Sequence, residues 1–245
     1  IWTKNEACVA TGGQCEMNWV AQGVSIDSRT VAWGDLFIAL VGPNMDGHKF
    51  LAQAFKRGAV AAVVSQIPED ADSSWPLLMV DDTQTALEGL GVFARDRVGA
   101  HICAVTGSVG KTGTKEALRQ TLERSGSTHA SVASYNNLWG VPLSLARMPR
   151  DAAYAIFEIG MNHAGEISPL SRMVRPHVVI VTTVEATHLE YFDGVEGIAD
   201  AKAEVFEGLE PGGVAILNKD NDQFDRLQKA ATAQGARVVS FGENT

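Results

Sequence analysis

The fold of this chain is decided by one continuous stretch, His101-Ile102-Cys103-Ala104-Val105-Thr106-Gly107-Ser108-Val109-Gly110-Lys111-Thr112. It opens with an apolar run that is rich in strand-forming residues. Two glycines follow, and they allow the chain to turn sharply. Residues 112–125 then have the composition of a helix. A buried strand, a glycine-bearing loop and a helix are therefore predicted in that order.

The same alternation of strands and helices extends on both sides of this stretch. Continuous apolar runs separated by helices indicate a parallel sheet that is covered on both faces. The predicted fold class is α/β, with a small N-terminal α/β domain at 1–98 and a mostly parallel-sheet domain of the phosphate-loop type at 99–245. Outside the deciding stretch, strands are predicted at 36–41, 60–64, 77–80, 153–159, 178–183, 214–217 and 238–241.

Composition narrows the class of protein. The chain has 245 residues, 45% hydrophobic and 20% charged, with a net charge of −9. These fractions exclude a disordered or fibrous chain, and the excess of acid argues against a nucleic-acid-coating surface. No apolar run is long enough to span a bilayer, and Ile1-Trp2-Thr3-Lys4 does not resemble a signal peptide. We expect a cytoplasmic protein without nucleic-acid partners. Three cysteines predict no disulfide framework.

The loop between strand and helix is a candidate phosphate site. Backbone N–H groups at a helix start form a cradle for anions. Lys111 is placed to reach phosphate oxygens, and the Thr112 hydroxyl is placed to bind Mg²⁺. Val105 occupies the first glycine position of the pattern G-x-x-x-x-G-K-[ST], so an ordinary tight turn is the alternative. The order of strand, glycines, Lys-Thr and helix favours phosphate binding.

Two further residues, Glu158 and His188, are candidates for ligand binding at the ends of strands, and a third, Lys202, is not a candidate by its pattern alone. Glu158 lies at the end of the apolar run 153–159 and could supply a carboxylate to Mg²⁺. The alternative is an alternating strand with Glu158 facing solvent. His188 follows the next predicted strand, although a lone histidine is more often structural. The pattern around Lys202, Ala201-Lys202-Ala203-Glu204, is by itself that of a solvated helix lysine.

Five ordered motifs together resemble the Mur ligases, ATP-dependent peptide ligases of bacterial cell-wall synthesis. They are Thr106–Thr112, Asn136-Asn137-Leu138-Trp139-Gly140-Val141-Pro142-Leu143, Glu158-Ile159-Gly160-Met161-Asn162-His163-Ala164-Gly165-Glu166-Ile167, Thr187-His188-Leu189-Glu190 and Ala201-Lys202-Ala203-Glu204-Val205-Phe206-Glu207-Gly208-Leu209.

The N-terminal part extends this resemblance. Residues 25–29, 34–40 and 46–50 are similar to the UDP-sugar domain of the family. Val109 and Gly113 replace polar residues that are common in the family's loop. The family's later adenine-side motif and its third domain have no counterpart before Thr245. We therefore expect the chain to end within the ATP-binding domain and to be inactive by itself.

The resemblance implies an ATP-dependent amide ligation through an acyl phosphate. It implies that Lys111, Glu158, His188 and Lys202 are catalytic, with two Mg²⁺ held by Thr112, Glu158, His188 and a carbamylated Lys202. It implies that ATP is bound by Thr106, Gly107, Ser108, Val109, Gly110, Lys111, Thr112 and Gly113.

The resemblance also implies how the acceptor is bound. Ser28, Pro43, Asn44 and Met45 match positions that contact the uridine diphosphate group. Asn136 and Asn137 match positions beside the muramoyl-peptide path, with a plain Asn-rich turn as the alternative.

Several functional readings remain open. The second and third motifs favour the branch that adds D-Ala-D-Ala to UDP-N-acetylmuramoyl-tripeptide, with the complete protein acting as a monomer. The ligase that adds the third residue to a UDP-muramoyl-dipeptide shares the other segments. The folylpolyglutamate synthetase type shares the ATP domain but lacks a preceding UDP-sugar domain. A nucleotide-binding module without ligase activity is the alternative from a different class.

Overall fold

The computed structural model describes residues 1–132, 134–187 and 189–243. The chain divides into two compact units. Unit 1 comprises Ile1–Arg97 and Leu145–Arg150, and unit 2 comprises Val98–Ser144 and Asp151–Thr245. As functional domains, the ranges 1–98 and 99–245 stay a prediction.

Unit 1 is built on a four-stranded parallel sheet. Its strand order is β3-β4-β7-β8, and two short antiparallel pairs, β1-β2 and β5-β6, accompany it. The elements are β1 Trp2–Thr3, α1 Lys4–Thr11, β2 Val20–Ala21, β3 Gly23–Ser25, β4 Asp35–Ile38, β5 Val41–Gly42, β6 Met45–Asp46, the 3-10 helix η1 Gly47–Phe50, α2 Leu51–Lys56, β7 Ala61–Val64, β8 Leu77–Met79 and α3 Thr83–Asp96.

Burial explains why the strands of unit 1 read as continuous apolar runs. All residues of β4 and β7 are buried, as expected for central strands of a parallel sheet. Phe37 of β4 and Leu51 of α2 belong to the same cluster of buried apolar residues. Asp82 begins α3 by accepting a hydrogen bond from the Thr85 N–H at 2.7 Å, which satisfies an amide that the helix itself cannot pair.

Unit 2 is built on a six-stranded, all-parallel sheet with the order β10-β11-β9-β12-β13-β14. Its elements are β9 His101–Thr106, α4 Lys111–Leu122, β10 Thr128–Ala130, α5 Gly140–Ala146, β11 Tyr154–Glu158, α6 Ile167–Val174, β12 Val178–Val181, η2 Leu189–Tyr191, α7 Val195–Ala203, η3 Glu204–Gly208, β13 Val214–Asn218, α8 Phe224–Ala233 and β14 Arg237–Phe241.

The order of the strands determines where a site can form. The chain runs from β9 to β10 and β11 on one side, and then crosses to β12 on the other side of β9. Open α/β sheets bind ligands outside the carboxyl ends of the strands at such a reversal. Val105 in β9 pairs with Glu158, and Thr106 pairs with Val181. The ends of β11 and β12 therefore flank the glycine loop.

The predicted α/β class with parallel sheets is confirmed. Two strands end more than one residue earlier than predicted. β4 stops at Ile38 and not at 41, because the Leu40 N–H bonds back to the Ile38 carbonyl at 3.0 Å and Val41 begins β5. β12 stops at Val181 and not at 183. Thr182 and Thr183 leave the strand since their polar groups bind the glycine loop instead. Among the described residues, none of the helices is long and apolar enough to cross a membrane.

Candidate functional site

The glycine loop is clamped from the end of β12. The Thr182 hydroxyl donates to the Val109 carbonyl at 2.6 Å and lies 3.3 Å from the Thr106 carbonyl. Gly107 has a φ of 145°, and a Cβ atom there would lie 1.9 Å from Thr182 Oγ1. Gly110 has a φ of 84°. Both glycines are therefore required by conformation, and Gly107 also by close approach.

Ser108 gives the loop a second anchor. Its N–H donates to the Thr183 carbonyl at 2.9 Å. Its hydroxyl donates to the Glu185 carbonyl at 3.1 Å and accepts from the Glu185 N–H at 2.9 Å. The Thr187 hydroxyl contacts the same oxygen at 3.2 Å. The Ser108 side chain thus fixes the conformation of the loop, whereas the side chain of Val109 is exposed.

The start of α4 is electrically positive. Gly110 is the N-cap residue, and within the described part of the chain no side chain caps the first turn. The N–H groups of such a first turn have no partner inside the helix. The Lys111 ammonium donates to the Gly107 carbonyl at 2.7 Å. Burial lowers the pKa of Lys111, and the carboxylate of Glu158 partly offsets that effect. A phosphate would meet N–H groups, the helix dipole and one ammonium here.

Glu158 ends β11 and is 1% exposed. The solvent-facing alternative is therefore wrong. One carboxylate oxygen accepts from the Thr112 hydroxyl at 2.8 Å, and the other accepts from the Asn136 amide at 2.8 Å. Its backbone N–H donates to Ser131 Oγ at 3.3 Å. Among the described residues, the hydrogen-bond donors to Glu158 are neutral, and a buried carboxylate with neutral donors favours a nearby cation. Thr112 and Glu158 are thus brought together as predicted.

The two neighbouring asparagines have different environments. Asn136 donates its amide to Glu158, and its backbone carbonyl accepts from the Gly160 N–H at 2.9 Å. Asn137 accepts from the Trp139 and Gly140 N–H groups at 3.2 and 2.9 Å. Asn136 therefore belongs to the carboxylate site. Asn137 shapes the turn before α5, as its turn interpretation predicted.

Lys202 lies in α7 and is 3% exposed. The interpretation as a solvated helix lysine is therefore wrong. Burial lowers the pKa of its ammonium to about 8, with a further lowering by the positive charge of Lys111. Lys202 and Lys111 are thus electrostatically coupled. His188, predicted as a metal ligand, lies outside the described residues.

The donor set fits Mg²⁺ in part. Thr112 and Glu158 supply a hydroxyl and a carboxylate, which are the oxygen ligands that this ion prefers, and phosphates and water usually complete its shell. Lys202 as an ammonium does not fit a cation site. Within the described ranges, no group of three His, Cys, Asp or Glu residues could hold a metal ion.

The predicted uridine-contacting residues lie in unit 1. Ser28 is buried, and its hydroxyl donates to Gln53 Oε1 at 2.7 Å. Pro43 and Asn44 form the turn between β5 and β6, and Met45 begins β6 with an exposed side chain. The role of these residues in binding the uridine diphosphate group stays a prediction.

Sequence reasoning missed Thr182 and Lys115. Thr182 could have been found, because a pair of threonines directly after a buried strand lies at the edge where the loop forms. Lys115 is fully buried in α4, and nothing in its local sequence indicates burial.

The six-stranded parallel sheet, the glycine loop and the Lys-Thr helix start define an α/β protein of the phosphate-loop fold class. Residues 105–245 match the profile of the Mur ligase middle domain, and residues 20–90 match that of the Mur ligase family catalytic domain. The chain belongs to the Mur ligase family.

Individual relatives agree with this membership. A UDP-N-acetylmuramoyl-tripeptide–D-alanyl-D-alanine ligase from Rickettsia prowazekii is 37% identical over 100% of this chain and 54% of its own length. MurF from Acinetobacter baumannii superposes with a TM-score of 0.86 at 36% identity, over 99% of this chain and 53% of that one. MurF from Thermotoga maritima in complex with ADP gives 0.74 at 26% identity, over 91% and 51%. The chain spans about half the length of the curated relatives it matches.

Substitution by alanine should have opposite effects on stability at Gly107, in the loop, and at Gly113, in α4. Gly107→Ala should lower Tm, because its Cβ would overlap Thr182 Oγ1 and its φ is unfavourable for alanine. Gly113→Ala should raise the free energy of unfolding by about 0.5–1 kcal/mol, because its Cβ meets nothing within 4 Å and it lies in α4. Thermal unfolding of both variants checks this, and equal Tm changes would contradict the loop geometry.

Proposed function

We propose that the complete protein is an ATP-dependent amide ligase that adds D-Ala-D-Ala to UDP-N-acetylmuramoyl-tripeptide. The observation that carries the proposal is the pairing of the uncapped, positive start of α4 with the buried carboxylate of Glu158 through Thr112. The names of the similar ligases supply the substrates. A cytoplasmic monomer, without membrane or nucleic-acid partners, is part of the same proposal.

Chemical activation explains why such an enzyme needs this site. A carboxylate is a poor electrophile, so its oxygen first attacks the γ-phosphorus of ATP, and ADP leaves. The amine of D-Ala-D-Ala then attacks the carbonyl carbon of the acyl phosphate, loses a proton and expels phosphate. Phosphoryl transfer of this kind depends mainly on positioning and on neutralising charge.

The residues of the loop would carry out these tasks. The N–H groups of 109–113 would bind the phosphates, while the Ser108 N–H holds the loop through the Thr183 carbonyl. The Lys111 ammonium would exchange its contact with the Gly107 carbonyl for phosphate oxygens. Thr112 and Glu158 would hold Mg²⁺, and a second Mg²⁺ would involve His188 and Lys202. Bound Mg²⁺ supplies neutralisation of the phosphate charge. Asn136 would orient Glu158 and border the path of the acceptor peptide.

Unit 1 would bind the UDP end of the acceptor. The turn at Pro43 and Asn44, with exposed Met45, offers a projecting surface beside which a nucleotide could lie. Ser28 would act from its buried position through the hydroxyl that now contacts Gln53.

Lys111 should be essential for triphosphate binding. Lys111→Ala should weaken ATP binding by at least roughly tenfold, since a hydrogen bond to a charged group contributes about 1.5–3 kcal/mol. Calorimetric titration of the complete protein with ATP measures this. Lys56→Ala, which removes an exposed lysine at the end of α2, is the matched control. Unchanged ATP affinity in Lys111→Ala would rule out the loop assignment.

The acceptor can be identified by thermal stabilisation. UDP-N-acetylmuramoyl-tripeptide should raise Tm more than UDP-muramoyl-dipeptide or UDP alone, because a bound ligand stabilises only the folded state. A preference for the dipeptide form would reassign the protein to the preceding ligase of the pathway. A response to none of the three would overturn the proposed role of unit 1.

Lys202 should react with CO₂ to form a carbamate. The neutral amine attacks the carbon of CO₂ and releases one proton. A pKa of about 8 leaves about half of the amine neutral at pH 8, against less than about 1% for an ordinary lysine. At fixed dissolved CO₂, carbamate should therefore increase as pH rises through 8. Carbon-13 NMR with labelled CO₂ measures it, with Lys202→Ala and Lys56→Ala as controls.

If catalysis needs the carbamate of Lys202, then removing that side chain should lower the activity of the complete enzyme. Activity should fall in Lys202→Ala and recover partly when a short carboxylate such as acetate is added. A fully active alanine variant without a carbamate signal in the parent protein would contradict this role.

A further inference from the structure

The most buried residue of α4 is a lysine. Lys115 is 0% exposed, although α4 otherwise packs through apolar side chains such as Leu118. Burying an ammonium is costly, and an apolar side chain of similar size at such a position is often neutral or stabilising. Its presence therefore calls for a contact that an apolar side chain could not make.

Lys115 connects α4 to the segment that supports Glu158. Its ammonium donates to the Ser131 carbonyl at 2.7 Å and lies 3.3 Å from a carboxylate oxygen of Glu116. Ser131 in turn accepts the Glu158 N–H through its hydroxyl at 3.3 Å. A single residue, Ser131, therefore connects the buried ammonium of Lys115 to the backbone N–H of Glu158.

The position of Lys115 along α4 relates it to Thr112, the residue that binds the carboxylate of Glu158. Thr112 and Lys115 are three residues apart and lie on the same face of the helix. Thr112 reaches the carboxylate of Glu158, while Lys115 reaches the segment beneath it. Asn136, five residues after Ser131, binds the second carboxylate oxygen. The backbone of Glu158 is therefore held by a residue that Lys115 anchors.

We propose that Lys115 is a positioning residue for the magnesium-binding carboxylate of Glu158. This inference rests on the proposed function, because it requires Glu158 to hold Mg²⁺ with ATP. This role runs through Ser131 and requires no contact of Lys115 with ATP or the acceptor. Groups that orient metal ligands typically change metal affinity by about 10- to 100-fold when they are removed.

The test is the Mg²⁺ dependence of ATP binding by the complete protein. Lys115→Met removes the ammonium and keeps an apolar chain of similar length. We expect the Mg²⁺ concentration for half-maximal ATP binding to rise about tenfold. Removing a positive charge near the site would by itself strengthen Mg²⁺ binding, so the expected change is opposite to the electrostatic effect. Calorimetric titrations at graded free Mg²⁺ measure it.

Two further variants separate positioning from stability. Leu118→Ala shortens a neighbouring side chain of α4 in the core, so it should lower Tm without changing the Mg²⁺ requirement. Ser131→Ala removes the hydroxyl that accepts from Glu158, so it should raise the requirement by a smaller factor.

The results separate a failure of the proposed role of Lys115 from a failure of the proposed ligase function. An unchanged or lowered Mg²⁺ requirement in Lys115→Met overturns the positioning role, and so does an equal rise in Leu118→Ala. A parent protein that binds no ATP with Mg²⁺ overturns the proposed function instead.

Discussion

The buried carboxylate of Glu158 is the constraint on which the site of unit 2 depends. It ends a strand whose neighbours are apolar, and it is held by Thr112 and Asn136 through single hydrogen bonds. These two donors come from α4 and from the segment after β10. A buried charge costs much free energy unless hydrogen bonds or an opposite charge compensate it. The glycine loop, α4 and the asparagine segment therefore have to keep fixed positions relative to β11.

The parallel topology is what makes this arrangement possible. The carboxyl ends of β9, β11 and β12 lie side by side. Residues at the ends of β11 and β12 can therefore both contact the segment that follows β9. Thr182 clamps the loop from the β12 side, while Glu158 binds the helix start from the β11 side. The two contacts could not exist together if β11 and β12 were adjacent, because only one of these strands would then be a neighbour of β9.

Much of this could be predicted from the sequence. The run 101–112 predicts strand, loop and helix, and the rule that strand ends meet at one edge places Glu158 near Thr112. Burial of Lys202 and Lys115 could not be predicted, because each lies in a polar or mixed helical pattern. Their burial arises from packing against distant elements. The grouping of Leu145–Arg150 with unit 1 likewise depends on long-range contacts.

The charges of the site explain why the state of Lys202 matters. With two ammonium groups, Lys111 and Lys202, against the single carboxylate of Glu158, these three side chains carry a net positive charge. Such a set attracts phosphates but repels Mg²⁺. In the proposed carbamate form, Lys202 is an anion, and the same three side chains become net negative. The lowered pKa of Lys202, caused by burial and then by Lys111, already favours the neutral amine that this conversion requires. The positive charge of Lys111, which in the proposed function binds phosphate, therefore also favours the neutral amine from which the proposed carbamate of Lys202 would form.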